Sequence, residues 1–539
     1  MSAAAITAPT AVGLSRPPPV NKWLVTLSIS FGTLMGAIDA SIVNVALPHI
    51  RGAVGATVQE ITWISTAYSI ALVLVMPLTG FLGRLFGQKN VYLFCLVLFL
   101  VGSALCGVAT SLPALVFFRV LQGLGAGALQ PTEQAILRQT FPPKEQGMAM
   151  ALFGMAVMLG PAIGPTLGGY IVDHWHWSWI FFINLPIGAL GLFMVANFVH
   201  EDPEIRAANQ KMATAQRQNI DWWGIGLLAV SMSTLVYCLE EGSAHDWFQS
   251  KLIVGCFLVA AFTLAALIIR ESTAPAPAVN VRLFRDPVFL SGTVIGGLMF
   301  AMLMANMFLL PIFMQELLGF TATQSGMALM PRVLVMMVAV PIVGRIHNKF
   351  PPRLIVSVGV LLVAYGSLLM SHLTLQSGAG QVIGALAFQG VGFACLFVPL
   401  TTIALSNVPK HLMPDATGLN SLVRQLGGAI GLAVFGSLIN HNATIARAGI
   451  AAHVTETNPL AQQRLLMVQQ GLMARGFDAQ TAHQAAIANV YGAVTRQSMV
   501  LSFDKLFLLA GILFLVVMPL LVFLKSNRGG PAADIHIEA

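Results

Sequence analysis

Of the 21 acidic residues in this chain, only Asp39 and Glu133 lie well inside long apolar runs. The basic residues that do so are Arg119, Arg332, Arg424 and Lys505. An ionisable group held in an apolar run is expensive and functional by default, as a carrier of protons or a contact for a charged guest. Asp39 lies 7 residues short of the far end of the first apolar run, and Arg119 lies 7 residues into the fourth. With those runs as antiparallel helices rising ~1.5 Å per residue, both groups sit about 10 Å below the same surface and are able to pair. Protonation of Asp39 then weakens its attraction to Arg119 and deprotonation restores it, a two-state element that a proton gradient can bias. The competing reading is a permanent structural ion pair.

Glu133 follows Pro131 near the inner end of the fourth run. An exposed carboxylate there attracts cationic compounds or accepts protons, or it simply snorkels to water. Arg332 follows Pro331 and either meets anionic substrates or bonds to carbonyls of neighbouring helices, and Arg424 reads as structural. Asn44, Gln122, Asn306 and Gln389 are further cavity candidates. Met302 and Met304, beside Met307, suit a cavity that moulds to unlike apolar guests, although such residues also serve as core or lipid-facing packing. The five cysteines all fall in apolar runs without Cys-x-x-Cys spacing, which argues against a metal site and a disulfide framework alike. No GxxxxGK[ST] run occurs, so phosphate-loop ATP hydrolysis is excluded and an ion gradient remains as energy source, with no cofactor expected.

The elements that must position these groups are membrane helices. With 539 residues, 56% hydrophobic content, 9% charged residues and a mean hydropathy of +0.79, the chain has too few charges to solvate a globular surface. It reads as an all-α polytopic membrane protein. Apolar runs of helical length lie near 24–46, 62–83, 90–109, 112–136, 147–171, 178–199, 221–240, 250–270, 289–313, 323–346, 353–372, 381–406, 416–438 and 504–524, fourteen in all. The net charge of +7 is scattered singly or in pairs beside these runs, which argues against nucleic acid as a partner. With both termini cytoplasmic, 18 of the 28 Lys and Arg fall on the cytoplasmic side, as the positive-inside rule requires. Asp173 to Trp179, rich in Trp and His, then lies at the outer interface. Residues 1–22, with Pro9 and Pro17 to Pro19, read as a disordered cytoplasmic tail rather than a signal peptide, and 525–539 as a second tail.

An internal repeat is visible. Gln122-Gly123, Gly125 and Pro131 recur 267 residues later as Gln389-Gly390, Gly392 and Pro399, and Gly160 and Gly164 recur at the same offset as Gly427 and Gly431. Gly80 to Lys89 matches Gly344 to Arg353 at an offset of 264. Chain order is preserved, so the repeats are parallel: six spans (23–200), two inserted spans with linkers (201–280), then six more (281–524). Two parallel halves with charges facing a cavity between them describe a transporter that rocks around a midplane site.

The runs IDASIVNVALP at 38–48, FFRVLQGLGAGALQP at 117–131, LGPAIGPTLGGYI at 159–171 and LPIFMQELLGFTATQSGMALMP at 310–331 resemble signatures of the major facilitator superfamily, and within it of the fourteen-span drug:proton antiporters. The run HWSWIFFINLPIG at 176–188 and the long outer loop resemble EmrB-type inner-membrane subunits of tripartite exporters. The resemblance covers nearly the whole chain. It implies a major facilitator fold and no enzymatic activity. It also implies a sealing role for the antiporter motif, Gly160, Pro161, Gly164, Pro165, Gly168 and Gly169, whose alternative role is static close packing of helices. One departure stands out: in GFLGRLFGQK, Arg84 occupies a place where many superfamily members have Asp, which puts a lock built on that carboxylate in doubt.

Residues 440–503 form by far the longest connection. Asn458-Pro459 starts a helical pattern carrying Leu465 and Leu472, Gly476 breaks it, and Asp478 opens a second pattern with Ile487, Val490 and Val494. This helical hairpin either docks a periplasmic adaptor, as the resemblance implies, or caps the outer vestibule. The expectation is a proton-coupled exporter of amphipathic drugs in a bacterial inner membrane, with an adaptor and an outer-membrane channel as partners. A narrow-specificity metabolite or peptide exporter is the second transport reading, and a non-transporting sensor or assembly protein the rival from another class.

Overall fold

This computed structural model describes residues 21–523 other than 202, 219, 348, 456 and 517, so that the two expected tails lie outside the described residues apart from Asn21 and Lys22. Fourteen helices are long and apolar enough to cross a membrane. They are α1 (Lys22–Val54), α2 (Gln59–Phe86), α3 (Gln88–Gly107), α4 (Leu112–Thr140), α5 (Gln146–His174), α6 (Trp179–Phe198), α7 (Trp222–Glu241), α8 (Lys251–Thr273), α9 (Pro287–Leu317), α10 (Ala322–Ile346), α11 (Pro352–Met370), α12 (Ala379–Ala404), α13 (Met413–Ala451) and α14 (Ala479–Val516). The end of the bundle at which α1 begins is called the start face, and the opposite end the hairpin face.

Local chemistry sets the boundaries. The Asn21 side chain accepts from Trp23 N to open α1, and Gly55, at φ 65°, closes it in the left-handed conformation that a Cβ disfavours. Thr57 with Glu60 and Thr321 with Gln324 form capping boxes at the starts of α2 and α10. Prolines 131, 331, 341 and 399 stay inside α4, α10 and α12, where neighbouring helices shield the freed carbonyls. After Pro311, α9 widens into a π turn over Phe313–Leu317.

The repeat seen in the sequence is repeated in packing. In the first half α1 lies on α5, and α4 lies between α2 and α3; in the second half α9 lies on α13, and α12 between α10 and α11. Between the halves α5 meets α10 and α2 meets α13, two contacts that exchange under the repeat. The inserted pair α7 and α8 packs on itself and touches α2 and α13 through α7.

Two elements depart from expectation. A helix over Pro203–Gln218 precedes the inserted pair and packs on the start-face end of α2. The outer hairpin is also not separate from the spans. α13 runs 39 residues and α14 runs 38, each continuing its span outward, with a short outer helix Pro459–Met473 between them packed on α14. The expected starts at Asn458 and Asp478 and the break at Gly476, at φ 97°, are present. The second hairpin helix, however, is the first part of α14 itself.

Candidate functional site

α1 and α4 bring Asp39 and Arg119 together in the first half. Arg119 Nη1 donates to Asp39 Oδ2 at 2.7 Å, with the two side chains 1% and 0% exposed. The same Nη1 donates to Gln122 Oε1 at 2.7 Å, and Arg119 Nε donates to the Ile64 carbonyl of α2 at 3.2 Å. The other carboxylate oxygen of Asp39 accepts from Gln122 Nε2 at 2.8 Å and from Asn184 Nδ2 of α6 at 3.0 Å. Asn184 is itself placed by the Ser103 hydroxyl of α3, which donates to the Phe181 carbonyl. The guanidinium lies over the Tyr68 ring, 4.0 Å from its centroid. Five spans thus converge on one carboxylate that has no access to water. A buried ion pair is tolerated when further hydrogen bonds satisfy its remaining polar atoms, as the three donors to Asp39 do here.

The sequence foresaw the pairing of Asp39 with Arg119 and named Gln122 as a cavity candidate; Gln122 instead belongs to the charge cluster. Asn184 and Ser103 were missed. Asn184 was within reach, being the polar residue of the quoted apolar run FFINLPIG.

Glu133 corrects an expectation. It is fully buried rather than exposed or snorkelling, and Ser30 Oγ of α1 donates to its Oε1 at 3.1 Å. Asn44 is exposed and accepts from Ser65 Oγ. Gln389, the repeat partner of Gln122, is bound to Ser367 Oγ at 3.1 Å in the α11–α12 seam. Asn306 donates to the Met302 carbonyl of its own helix, Met302 is buried in the core, and Met304 is partly buried beside Gly428.

A cavity opens between α5, α9 and α10, lined by Met158, Pro165, Leu303, Met307, Met336 and Arg332 among others. Arg332 is the charged group at its wall. Met158, Leu303 and Met336 were not foreseen, because nothing in their own runs marks the facing helix.

The antiporter-motif glycines form a seam inside the first half. Gly160, Gly164 and Gly168 pack on Ala37, Ser41 and Ile42 of α1, and Ser41 Oγ donates to the Gly160 carbonyl at 3.0 Å. Gly169 faces open space, Pro165 lines the cavity, and the side chain of Pro161 lies outside the described residues. Gly427 and Gly431 make the matching seam of α13 on α9, at Gly297 and Ala301. The α1 seam thus flanks Asp39.

At the start face the halves are joined by charge. Arg84 at the end of α2 pairs with Asp415 in the first turn of α13, and Arg84 Nε donates to Gln216 Oε1 of the Pro203–Gln218 helix at 2.9 Å. Arg84 thus takes its carboxylate from the other half. Gln139 Nε2 donates to the Lys410 carbonyl and Arg138 Nη2 to that of Thr402, adding two further bonds across the halves.

Comparison with known proteins gives a consistent answer. The profile of the Major Facilitator Superfamily matches residues 29–432. The multidrug export protein EmrB of Escherichia coli K12 is 33% identical over 95% of this chain and 98% of its own length. The fatty acid resistance protein FarB of Neisseria gonorrhoeae is 33% identical over 94% of this chain and 97% of its own. Among solved structures, the human organic anion transporter MFSD10 aligns with a TM-score of 0.57 at 16% identity over 93% of this chain and 100% of its own, a likeness of fold alone.

Proposed function

Because the chain belongs to the major facilitator superfamily and is a multi-pass membrane transporter of the drug-efflux type rather than an enzyme, we propose that it exchanges protons for amphipathic compounds across a bacterial inner membrane. The observation that carries this reading is the Asp39 cluster: a carboxylate 0% exposed, matched by Arg119, Gln122 and Asn184, in contact with helices that must shift if the halves rock. Deprotonated, Asp39 holds Arg119 and ties α1 to α4. Protonated, it loses most of that attraction, so the two protonation states favour different packings of the first half. An inward proton gradient then biases the cycle. Glu133, buried one helix contact away between α4 and α1, is a second proton carrier in this scheme.

The start face is the cytoplasmic side in this proposal, with both termini there, in keeping with the basic residues gathered on it. The hairpin face then projects α13 and α14 into the periplasm. The similarity to EmrB supports an assignment as the inner-membrane part of a tripartite exporter, with a periplasmic adaptor and an outer-membrane channel as partners.

The test is transport by purified protein in proteoliposomes with an imposed pH gradient, using a panel of unrelated amphipathic compounds. Gradient-driven movement of several of them, lost in Asp39→Asn, is expected. Gradient-driven transport by that variant equal to the parent would remove Asp39 from coupling, and movement of one compound alone would favour a narrow-specificity exporter.

A further inference from the structure

Arg332 and Arg424 are 4% and 3% exposed, and neither has a salt bridge among the described residues. Arg332 Nη1 and Nη2, and Arg424 Nε and Nη1, have no hydrogen-bond partner there either. Their company is aromatic. The Arg332 guanidinium lies 4.7 Å from the ring centre of Phe393, and that of Arg424 lies 4.4 Å from Phe300 and 4.9 Å from Phe397. Phe393 and Phe397 are four residues apart on α12, so the two cations flank neighbouring rungs about 6 Å apart along that helix.

Burying a cation without a counter-charge is costly, and aromatic faces return only part of that cost. The repeat shows that the fold does not need these charges. In the first half, Gly123 packs on Tyr68 and Ala71, and in the second Gly390 packs on Arg332 and Val335, so Tyr68 holds the position matching Arg332. Arg424 lies 267 residues beyond Val157, its apolar counterpart on α5. Conversely, the first half pairs its buried Arg119 with Asp39 and gives its buried Arg138 the oxygens of Gln146 and Thr402, whereas in the second half Arg332, at the cavity wall, and Arg424 have no carboxylate partner among the described residues.

We propose that Arg332 and Arg424 form an anion subsite that receives the carboxylate head of an amphipathic substrate, whose apolar tail occupies the cavity lined by Met158, Leu303, Met307 and Met336. Arg332 stands at the cavity wall and takes the head first, while Arg424, a rung deeper along α12, takes it as the cavity closes. The proposal deepens the transport reading and rests on it for the substrate's passage, but the binding step is independent of coupling.

The experiment is equilibrium binding, without any gradient, of dodecanoate and of dodecyltrimethylammonium to the full-length protein in phosphatidylcholine nanodiscs. The parent should bind dodecanoate at least about tenfold more tightly than the equally long cation, the scale of one charge-assisted contact. Arg332→Met should weaken dodecanoate by about 10- to 100-fold, with Arg424→Met acting in the same direction, and neither should change binding of the cation. Removal of an unmatched buried charge should leave both variants melting no lower than the parent. Should either fail to fold, Arg332→Lys and Arg424→Lys read the site instead, through intermediate affinity for dodecanoate. Equal binding of both probes, or parent-like dodecanoate binding by all the arginine variants, would overturn the proposal. Loss of dodecanoate binding in phosphatidylglycerol nanodiscs that persists at high salt, where repulsion by the anionic surface is screened, would identify a lipid phosphate as occupant and overturn it as a substrate site. Arginine-dependent binding by a protein that moves nothing under a pH gradient would sink the exporter reading and leave the anion subsite standing.

Discussion

A carboxylate out of reach of water is only as well placed as its donors, and at Asp39 these come from α4 and α6. Arg119→Lys keeps the charge but loses the fork that serves Asp39, Gln122 and the Ile64 carbonyl together, so partial transport is expected; Arg119→Ala should abolish it. The alanine variant also strands a buried anion, which costs about 3–5 kcal/mol. A thermal melt beside the transport assay separates the two effects, and equal transport by both variants would reduce Arg119 to packing. Asn184→Leu removes one donor of three, so a loss of transport smaller than that of Asp39→Asn is expected from the same assay. The pairing was legible in the sequence because depth along antiparallel helices is fixed by rise per residue. Which third helix supplies a donor is not, since spacing within α6 says nothing about its neighbours. Glu133 was misread for the same reason: its depth suggested access to water, but α1 covers that side of α4 and Ser30 meets it there.

Helix boundaries and helix faces were legible to different degrees. Turn and cap residues such as Asn458, Gly476 and Asp478 mark ends because they act locally, and the apolar runs mark spans because lipid demands them. The Pro203–Gln218 helix escaped notice because its charged, alanine-rich sequence forms no apolar run. The glycine motif announced close packing but not its partner, which is α1 rather than the opposite half. Two variants within that motif test the seam. A methyl group at Gly160 would meet the backbone between Ala37 and Ile38, so Gly160→Ala should destabilise by about 1–3 kcal/mol. At Gly169 nothing lies within 4 Å, and Gly169→Ala should be neutral or slightly stabilising in the same melt. At the outer start of α14, Asp478 accepts from the amides of Gln480 and Thr481, and its bonds with Thr481 hold its carboxyl below the usual range. A lowered folded value means that the cap contributes above the unfolded value and is lost as pH falls through the folded one. Protection of the first-turn amides of α14 against hydrogen exchange, taken relative to their intrinsic rates, should therefore fall only at acid pH in the parent, and be low at all pH values in Asp478→Ala.

At the scale of the whole molecule, the parallel repeat made the two halves legible, whereas the contacts that join them were hidden because each couples residues far apart in the chain, as Arg84 with Asp415 or Gly147 with Gly344. Arg84 had cast doubt on a charged lock; the missing carboxylate is Asp415 of the second half. Arg84→Ala should loosen the start face, read as a longer-distance population between spin labels placed at Lys144 and Lys410, and the swap of Arg84→Asp with Asp415→Arg should reverse part of that change. An unchanged distribution in Arg84→Ala would show that the Gln139 and Arg138 bonds suffice to hold the face together. Replacing residues 453–478 by a Gly/Ser linker should spare vesicle transport, since the outer helix has no buried residue, whereas a cut extended to 500 would strip the buried Ser498 and Val500 from α14. If an adaptor docks there, the shorter cut should still fail to protect intact cells. Because α13 and α14 leave the core without a break, the hairpin is a rigid mast fixed to one half rather than a flap. It rises ~20–30 Å above the spans, so a rotation of that half by about 15° would sweep its tip through roughly 5–8 Å. On the exporter proposal, each turn of the cycle would then appear as a displacement outside the bilayer, where anything gripping the mast would feel the transporter's phase mechanically, without touching its substrate.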